Sequence, residues 1–245
     1  MTRGRSSVDV ARKADVITLT LRLGSGRLDP DVHVALAEAC GMIDLDDDVR
    51  AVVVKSAGKD FCVGDDETVT ADARDGIEAI GRLRVPCVAV LAGDALGAGL
   101  ELALACDLRI AASGAKLGLP QTGAIPFHGG TQRLPRIVGA ARAARMLLLG
   151  ETWSARQAKE AGLLQIVSKR TDLAADLRKL VATLSARAPI AQRLAKEALR
   201  SAADLPLAEG LRLEGDLYVL LHTTRDRDEG IASFHQKRQP RFQGR

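Results

Sequence analysis

The stretch GDALGAGLELALACDLRIAA, residues 93–112, joins a glycine-rich turn to an apolar, helix-forming run and then to a short strand-like run. Three glycines in the turn, Gly93, Gly97 and Gly99, let a ligand approach the main chain closely. Because the helix begins directly after the turn, its first free N–H groups point at whatever lies in front of it. The segment therefore predicts a site that favours a developing negative charge.

Glu101 is the ionisable side chain of this helix. The other positions from Leu100 to Cys106 are all apolar, so the carboxyl group is expected to be drawn into the interior. Desolvation raises the pKa of a buried carboxyl group and makes it a usable general base or acid near neutral pH. The structural alternatives are a carboxylate on the one exposed stripe of the helix, or an ion pair with Arg109 or Arg136.

Val-rich runs before two glycine turns predict the sheet. The runs at 51–55 and 85–91 are short, continuous and Val-rich, which is typical of strands covered on both faces. The first run precedes the turn FCVGDD, residues 61–66, and the second precedes the turn at 93–99. The alternation of strands and helices predicts an α/β fold. Further strands are predicted at 16–21 and 108–112, and helices at 31–40 and 70–83.

Nucleotide-binding motifs fit the turn at 93–99 poorly. A dinucleotide fingerprint, GxGxxG, needs its third glycine where Leu102 stands, and it belongs in the opening strand-turn-helix unit. A Walker phosphate loop needs a Gly-Lys-Ser/Thr sequence, which does not follow the turn. A purely steric role of the glycines stays open, since strand-to-helix turns use glycine for tight bends.

Composition limits the classes of protein that remain. With 245 residues the chain can bury one sizeable core, and a net charge of +4 with both signs interspersed indicates an ordinary solvated surface. Aromatic residues make up 2% of the chain, too few for stacking nucleic-acid bases. The four cysteines and four histidines form no CxxC or HExxH motif. We therefore expect a cytoplasmic protein with no metal and no nucleic-acid or membrane partner.

Three segments are expected along the chain. Residues 1–8 are polar and basic and are predicted to form a disordered tail, followed by a core over residues 9–190. From Arg136 onward strong helix formers dominate, and residues 191–245 are predicted to form a C-terminal helical region. The apolar spacing in 205–221 is typical of an amphipathic helix that caps the sheet or packs on another subunit.

Four motifs in order closely resemble the enoyl-CoA hydratase/isomerase, or crotonase, superfamily: FCVGDD, GDALGAGLELALACDLRIAA, LGLPQTGAIPFHGGTQRLPRIVG and ETWSARQAKEAGLLQIV. The resemblance runs from about Val16 to the C-terminus. It implies a crotonase-like spiral of ββα units with a C-terminal helical trimerisation region, assembled as a homotrimer or as a hexamer of two trimers. It also implies an acyl-CoA thioester substrate, so that coenzyme A is part of the substrate and no separate cofactor is expected.

The resemblance assigns catalytic roles to four residues. The backbone N–H groups of Asp65 and Ala98 would form an oxyanion hole that stabilises an enolate. Glu101 matches the first of the two glutamates with which hydratases hold and activate water. Gln121, directly after Pro120, stands in the place of the second glutamate. A glutamine positions water or substrate through hydrogen bonds but cannot transfer a proton at neutral pH.

The resemblance also implies substrate contacts around the two turns and in the last helix. The loop that ends at His128 is shorter than the family pattern, and His128 either replaces the missing acid, restricts the pocket or is only a loop residue. The carboxylate of Asp65 is unfavourable beside an enolate unless it turns away. The expected substrate-binding residues are Val63, Gly64, Asp66, Gly97, Gly99, Phe127, His128, Phe234 and Lys237.

The leading hypothesis is an enoyl-CoA hydratase-like enzyme of acyl-CoA or fatty-acid metabolism in which the two-glutamate hydration is impaired. Isomerisation, dehydration or hydrolysis needs one strong base and stays open. A non-catalytic protein that binds or delivers acyl-CoA is the alternative from a different class. Gln121 favours that alternative, whereas a buried Glu101 argues against it.

Overall fold

The computed structural model describes residues 7–70, 75–120 and 124–245. These residues form an α/β fold, as predicted, with strands and helices alternating first and helices dominating later. The strands are β1 (Ser7–Lys13), β2 (Val16–Arg22), β3 (Ala51–Ser56), β4 (Cys87–Leu91), β5 (Ala95–Leu96), β6 (Leu108–Ala112), β7 (Lys116–Gly118), β8 (Thr152–Ser154) and β9 (Ile166–Ser168). The helices are α1 (Pro30–Asp44), α2 (Asp75–Arg82), α3 (Ala98–Ala105), α4 (Gly130–Val138), α5 (Ala140–Leu149), α6 (Ala155–Glu160), α7 (Leu173–Ser185), α8 (Pro189–Ser201), α9 (Leu207–Leu221) and α10 (Arg225–His235).

Two sheets organise the described part of the chain. The larger sheet has the order β1-β2-β3-β4-β6-β9, and the smaller has the order β5-β7-β8. In the larger sheet β1 and β2 form an antiparallel hairpin, while the other neighbours pair in parallel. Parallel neighbours require crossover connections, which places helices over the sheet. The carboxyl ends of β3 and β4 lead into the two glycine-containing turns.

The core lies on both faces of β3 and β4. Val52 and Val54 belong to the larger apolar cluster on one face, whereas Val53 and Val88 pack with Leu173 of α7 on the other. Side chains of a strand alternate between faces, so a continuously apolar strand is stable only if both faces are covered. The prediction of strands buried on both sides is therefore confirmed.

The N-terminal prediction needs a correction. Ser7 and Val8, assigned to a disordered tail, begin β1 because they pair with Arg22 and Leu21 of β2. The rest of that tail, residues 1–6, lies outside the described residues. β1 as a whole was not predicted, because its polar and basic composition hides the pairing that the hairpin provides.

The start of one helix and the presence of two short strands also differ from the prediction. The helix expected from residue 70 is present as α2 from Asp75, and residues 71–74 lie outside the described residues. The region after Arg136 is mostly helical, as predicted, but it also contains β8 and β9. β9 pairs with β6 at the edge of the larger sheet. Three-residue strands carry too little periodicity to be recognised in a sequence.

The C-terminal helices pack unequally. α8 lies against the core through Lys196, whose buried ammonium donates to the Val85 carbonyl at 2.7 Å and contacts the Asp107 carboxylate at 2.6 Å. α9 buries none of its residues, and its Leu207 and Leu211 are exposed. Packing of α9 on another subunit stays a prediction, as does the domain division at residue 190. Within the described ranges, no helix combines the length and apolar character needed to cross a bilayer.

Candidate active site

The two glycine-containing turns lie against each other. Cys62 forms a parallel bridge with Ala95, and the Leu96 N–H donates to the Cys62 carbonyl at 2.9 Å. Gly99, in the first turn of α3, packs so closely that a β-carbon there would overlap the Cys62 carbonyl oxygen. Glycine is therefore required at this position, because only the absence of a side chain lets the two turns meet.

The turn at 61–66 holds Asp65 in a fixed orientation. The Leu28 N–H donates to the Gly64 carbonyl at 2.9 Å, and the Asp66 N–H donates to the Leu28 carbonyl at 2.6 Å. Because Leu28 bonds to the residues on either side, the N–H of Asp65 points away from it. Gly64 has a φ of 133°, which favours glycine, and one Arg27 guanidinium nitrogen donates to the Asp65 carbonyl at 3.0 Å.

The turn at 93–99 ends in the N-terminus of α3. Gly97 has a φ of 54°, and its N–H donates to the Gly118 carbonyl of β7 at 2.9 Å. Its own carbonyl accepts from the Glu101 N–H, the first turn of the helix. The Ala98 N–H precedes the first N–H that an α-helix can use internally, so the helix supplies no partner for it. Ala98 is buried.

The carboxyl group of Glu101 is buried and anchored by main-chain donors. The residue is 1% exposed, and its Oε1 accepts from the His128 N–H at 2.9 Å and the Gly130 N–H at 2.8 Å. A β-carbon on Gly130 would lie 3.0 Å from Cγ of Glu101, so glycine makes room for the carboxyl group. Burial raises the pKa of Glu101, and the hydrogen bonds from the Gly130 and His128 N–H groups offset part of this effect.

The structural alternatives for Glu101 are not observed. Because Glu101 is buried, its carboxylate does not lie on an exposed stripe of α3. The Arg109 guanidinium donates to main-chain carbonyls, among them those of Leu163 and Cys106. Arg136 donates to the Gln132 carbonyl and lies near Asp204. The predicted burial of the carboxyl group is confirmed.

A second buried cluster surrounds the carboxylate of Asp65. Its Oδ2 lies 2.8 Å from Nε2 of His128, and its Oδ1 lies 3.5 Å from Nε2 of His33. The two imidazole rings stack with their centroids 4.9 Å apart. Burial raises the pKa of Asp65, but the contacts with His128 and His33 outweigh it, and the net pKa is lowered.

His33 is the residue of this cluster that the sequence analysis did not single out. It lies on α1 and is 1% exposed. A signal was present, because His33, Leu36 and Cys40 follow the i, i+3, i+7 spacing of a buried helix face. A histidine on such a face needs a partner, but the helix alone does not reveal which one.

The other predicted substrate-binding residues fall into two groups. Val63 and Asp66 fix the first turn, and the ring of Phe127 lies 4.0 Å from that of His128. In the described part of the chain, no hydrogen bond, ion pair or ring contact joins Phe234 or Lys237 to the two turns. Gln121 lies outside the described residues.

An open groove borders the loop that carries His128. Its volume is about 910 Å³, which is within the range of small-molecule sites. Leu104, Phe127, His128 and Arg133 contribute to its walls. The loop thus separates the buried Asp65 cluster from a cavity that is accessible to a ligand.

A family model described as Enoyl-CoA hydratase/isomerase matches residues 14–245. The chain belongs to this family. It is 37% identical to the putative enoyl-CoA hydratase/isomerase YngF of Bacillus subtilis, over 94% of each chain. It is also 37% identical to the 2,3-dehydroadipyl-CoA hydratase of Escherichia coli, over 98% of this chain and 100% of the relative.

Solved structures agree with this assignment. The enoyl-CoA hydratase from Bacillus anthracis is 33% identical and superposes with a TM-score of 0.93, covering 98% of this chain and 100% of that one. The predicted family and the crotonase-like fold are therefore confirmed, and the chain is an enzyme of the enoyl-CoA hydratase/isomerase family.

Proposed function

We propose that this enzyme acts on an acyl-CoA thioester through an enolate, in an enoyl-CoA hydratase-like reaction with Glu101 as the acid-base group. The observation that carries the proposal is the buried, anchored carboxyl group of Glu101 in the first turn of α3. Similarity to the 2,3-dehydroadipyl-CoA hydratase of Escherichia coli supports the substrate class. Coenzyme A enters as part of the substrate, so no separate organic cofactor is proposed.

The oxyanion hole is assigned to the N–H groups of Asp65 and Ala98. Contact between Cys62 and Gly99 supports this assignment, because it brings the two turns together. Leu28 directs the Asp65 N–H away from itself, and the start of α3 leaves the Ala98 N–H without an intrahelical acceptor. Loss of one donor of an oxyanion hole typically lowers the rate about 10²- to 10³-fold.

Proton transfer is assigned to Oε2 of Glu101. Oε1 accepts two main-chain hydrogen bonds, whereas Oε2 takes none from the residues that the structure describes. Among the described residues, the carboxyl group is thus fixed through Oε1 alone. Its raised pKa brings it closer to the range in which it both accepts and returns a proton.

Gln121 makes the two-glutamate hydration mechanism unfavourable in this enzyme. Its amide can position water or substrate, but it cannot exchange a proton at neutral pH. Isomerisation, dehydration or thioester or C–C hydrolysis with one base is the second candidate function, and Gln121 favours it. His128 is the possible replacement acid, but the contact of its Nε2 with Asp65 favours a role in shaping the pocket.

We infer that the enzyme assembles as a homotrimer or as a hexamer of two trimers. α9 buries none of its residues within the chain, and its exposed Leu207 and Leu211 offer an apolar surface to another subunit. Phe234 and Lys237 would then reach the coenzyme across a subunit boundary. A cytoplasmic location fits the four free cysteines, all of which are buried.

The test is a turnover assay with purified protein. Crotonyl-CoA, the corresponding 3-hydroxyacyl-CoA and a 3-enoyl-CoA are offered separately, and products are identified by mass spectrometry. We expect turnover of at least one thioester and slow hydration of crotonyl-CoA. Hydration at tens per second would contradict the inferred handicap of Gln121. Tight binding of all three thioesters without turnover would support the non-catalytic alternative.

A further inference from the structure

We propose that His33, Asp65 and His128 form a binding site for a divalent transition-metal ion of the zinc class. The three side chains come from α1, from the turn at 61–66 and from the loop before α4. Their ligand atoms all lie within 4.8 Å of one another. Two imidazoles and one carboxylate are a donor set that zinc accepts, with a fourth position left for water or another ligand.

One of the donor distances already suits such an ion. Zinc holds nitrogen and carboxylate oxygen at about 2.0–2.2 Å, so donors around a tetrahedral ion lie about 3.3–3.6 Å apart. The His33 Nε2 to Asp65 Oδ1 distance of 3.5 Å already fits. Nε2 of His128 lies 2.8 Å from the other carboxylate oxygen, Oδ2, at hydrogen-bond distance, so this contact has to open before both imidazoles and the carboxylate bind one ion.

Unpartnered polar atoms provide independent support. Among the described residues, neither ring nitrogen of His33 nor Oδ1 of Asp65 has a partner within ordinary hydrogen-bond geometry, and Nε2 of His33 meets Oδ1 only as a long ion pair at 3.5 Å. His33 is 1% exposed, so bulk water does not compensate for the missing bonds. Buried polar atoms in proteins are normally satisfied by protein, water or an ion. A cation between Nε2 of His33 and Oδ1 of Asp65 satisfies both atoms.

Charge and access also favour a cation. The carboxylate of Asp65 supplies one negative charge, and that of Glu101 lies close enough to interact with it electrostatically. The side chain of Asp65 keeps 17% of its surface exposed, whereas those of His33 and His128 are almost fully buried. An ion can therefore enter past the carboxylate and be held by the imidazoles behind it.

Metal binding would change the electrostatics of the neighbouring turn. A bound ion would hold the Asp65 carboxylate on the side of the two histidines. It would also neutralise a negative charge that repels the negatively charged enolate. This consequence rests on the proposed function, but binding of the ion does not. Binding is therefore measured without any thioester, so that a failure of the metal site and a failure of the acyl-CoA chemistry give separate results.

The experiment uses untagged, chelator-treated full-length protein. Zn²⁺ is titrated by calorimetry, and Co²⁺ is added in a parallel sample to follow its ligand-field absorption. We expect one equivalent to bind at micromolar concentration or tighter, with a cobalt spectrum typical of nitrogen and oxygen ligands. Asp65→Asn and His33→Gln should each weaken binding at least tenfold, since even supporting residues of metal sites change affinity by about 10- to 100-fold.

A matched control separates this site from surface histidines. His235 is exposed at the end of α10, and His235→Gln should leave affinity and stoichiometry unchanged. Absence of binding by the wild-type protein at millimolar Zn²⁺ would overturn the proposal and indicate a buried water at His33. Binding that Asp65→Asn leaves unchanged would also overturn it. If His33→Gln does not fold, Asp65→Asn decides alone, because it keeps the shape of the side chain.

Discussion

Glu101 and Asp65 lie close to each other in the site, yet the fold surrounds their carboxyl groups differently. Glu101 is held by main-chain N–H groups of His128 and Gly130, and its pKa is raised by burial. Asp65 faces two imidazoles, which outweigh its burial and lower its pKa. Two carboxyl groups of similar intrinsic acidity thus have pKa values shifted in opposite directions, which fits the proposed division into proton transfer by Glu101 and cation binding by Asp65.

Replacing Glu101, the carboxyl group proposed to transfer the proton, tests the comparison most strongly. Glu101→Gln keeps the side-chain shape and the capacity to accept hydrogen bonds but cannot exchange a proton. We expect kcat to fall about 10²- to 10⁴-fold with little change in acyl-CoA affinity, measured by steady-state kinetics and calorimetry. The control is Glu160→Gln, on the exposed end of α6, which should retain full activity. An equal loss of turnover in both variants would remove the special role of Glu101.

Displacing the same carboxyl group without removing it is the next test. In Gly130→Ala the new β-carbon lies 3.0 Å from Oε1 of Glu101, and the carboxyl group has to shift. Because small misplacements of reacting groups are costly, we expect kcat to fall up to about 10²-fold while the protein stays folded. Gly114→Ala, where a β-carbon meets no atom within 4 Å, serves as the control for activity. Unchanged kcat in Gly130→Ala would show that the position of Oε1 is not critical.

Restoring a second glutamate sharpens the comparison by adding a proton-transfer group. Gln121→Glu should raise hydration of crotonyl-CoA at least tenfold, because general acid-base transfer contributes about 10²- to 10⁴-fold when it is well placed. The gain should disappear when Glu101→Gln is added, since the two groups would act on one water molecule. A gain that persists in the double variant would place the new carboxyl group outside the mechanism.

The smallest expected effect is a difference in the pH dependence of stability. The folded pKa of Asp65 is lowered, so this group stabilises the fold above its unfolded pKa of about 3.9, and the contribution is lost as pH falls through the folded value. The folded pKa of Glu101 is raised, so its contribution is present below the unfolded pKa of about 4.3 and is lost as pH rises through the folded value.

Denaturant titrations between acidic and neutral pH measure both contributions. Asp65→Asn should reduce the loss of unfolding free energy on acidification. Glu101→Gln should instead reduce the loss that accompanies a rise in pH from the acidic range towards neutrality. Changes of the same sign in the two variants would contradict the different environments of the two carboxyl groups.

Local sequence patterns predicted much of the fold and the burial of one carboxyl group in the site. The continuous apolar runs of β3 and β4 predicted strands buried on both faces, because such runs have no polar side to expose. The apolar neighbours of Glu101 predicted its burial for the same reason. The order of the four motifs indicated the family, although β1, β5, β7, β8 and β9 carried too little local signal to be predicted.

Tertiary structure alone decided what surrounds the two carboxyl groups. His128 and Asp65 are 63 residues apart, and Gly130 follows Glu101 by 29, so no local periodicity relates them. His33 joins them because α1 packs its buried face towards the turn at 61–66. The sequence by itself determined that Glu101 is buried, since its neighbours along the helix are all apolar. Their partners, and hence the directions of their pKa shifts, depend on contacts that exist only after the turns and helices have packed together.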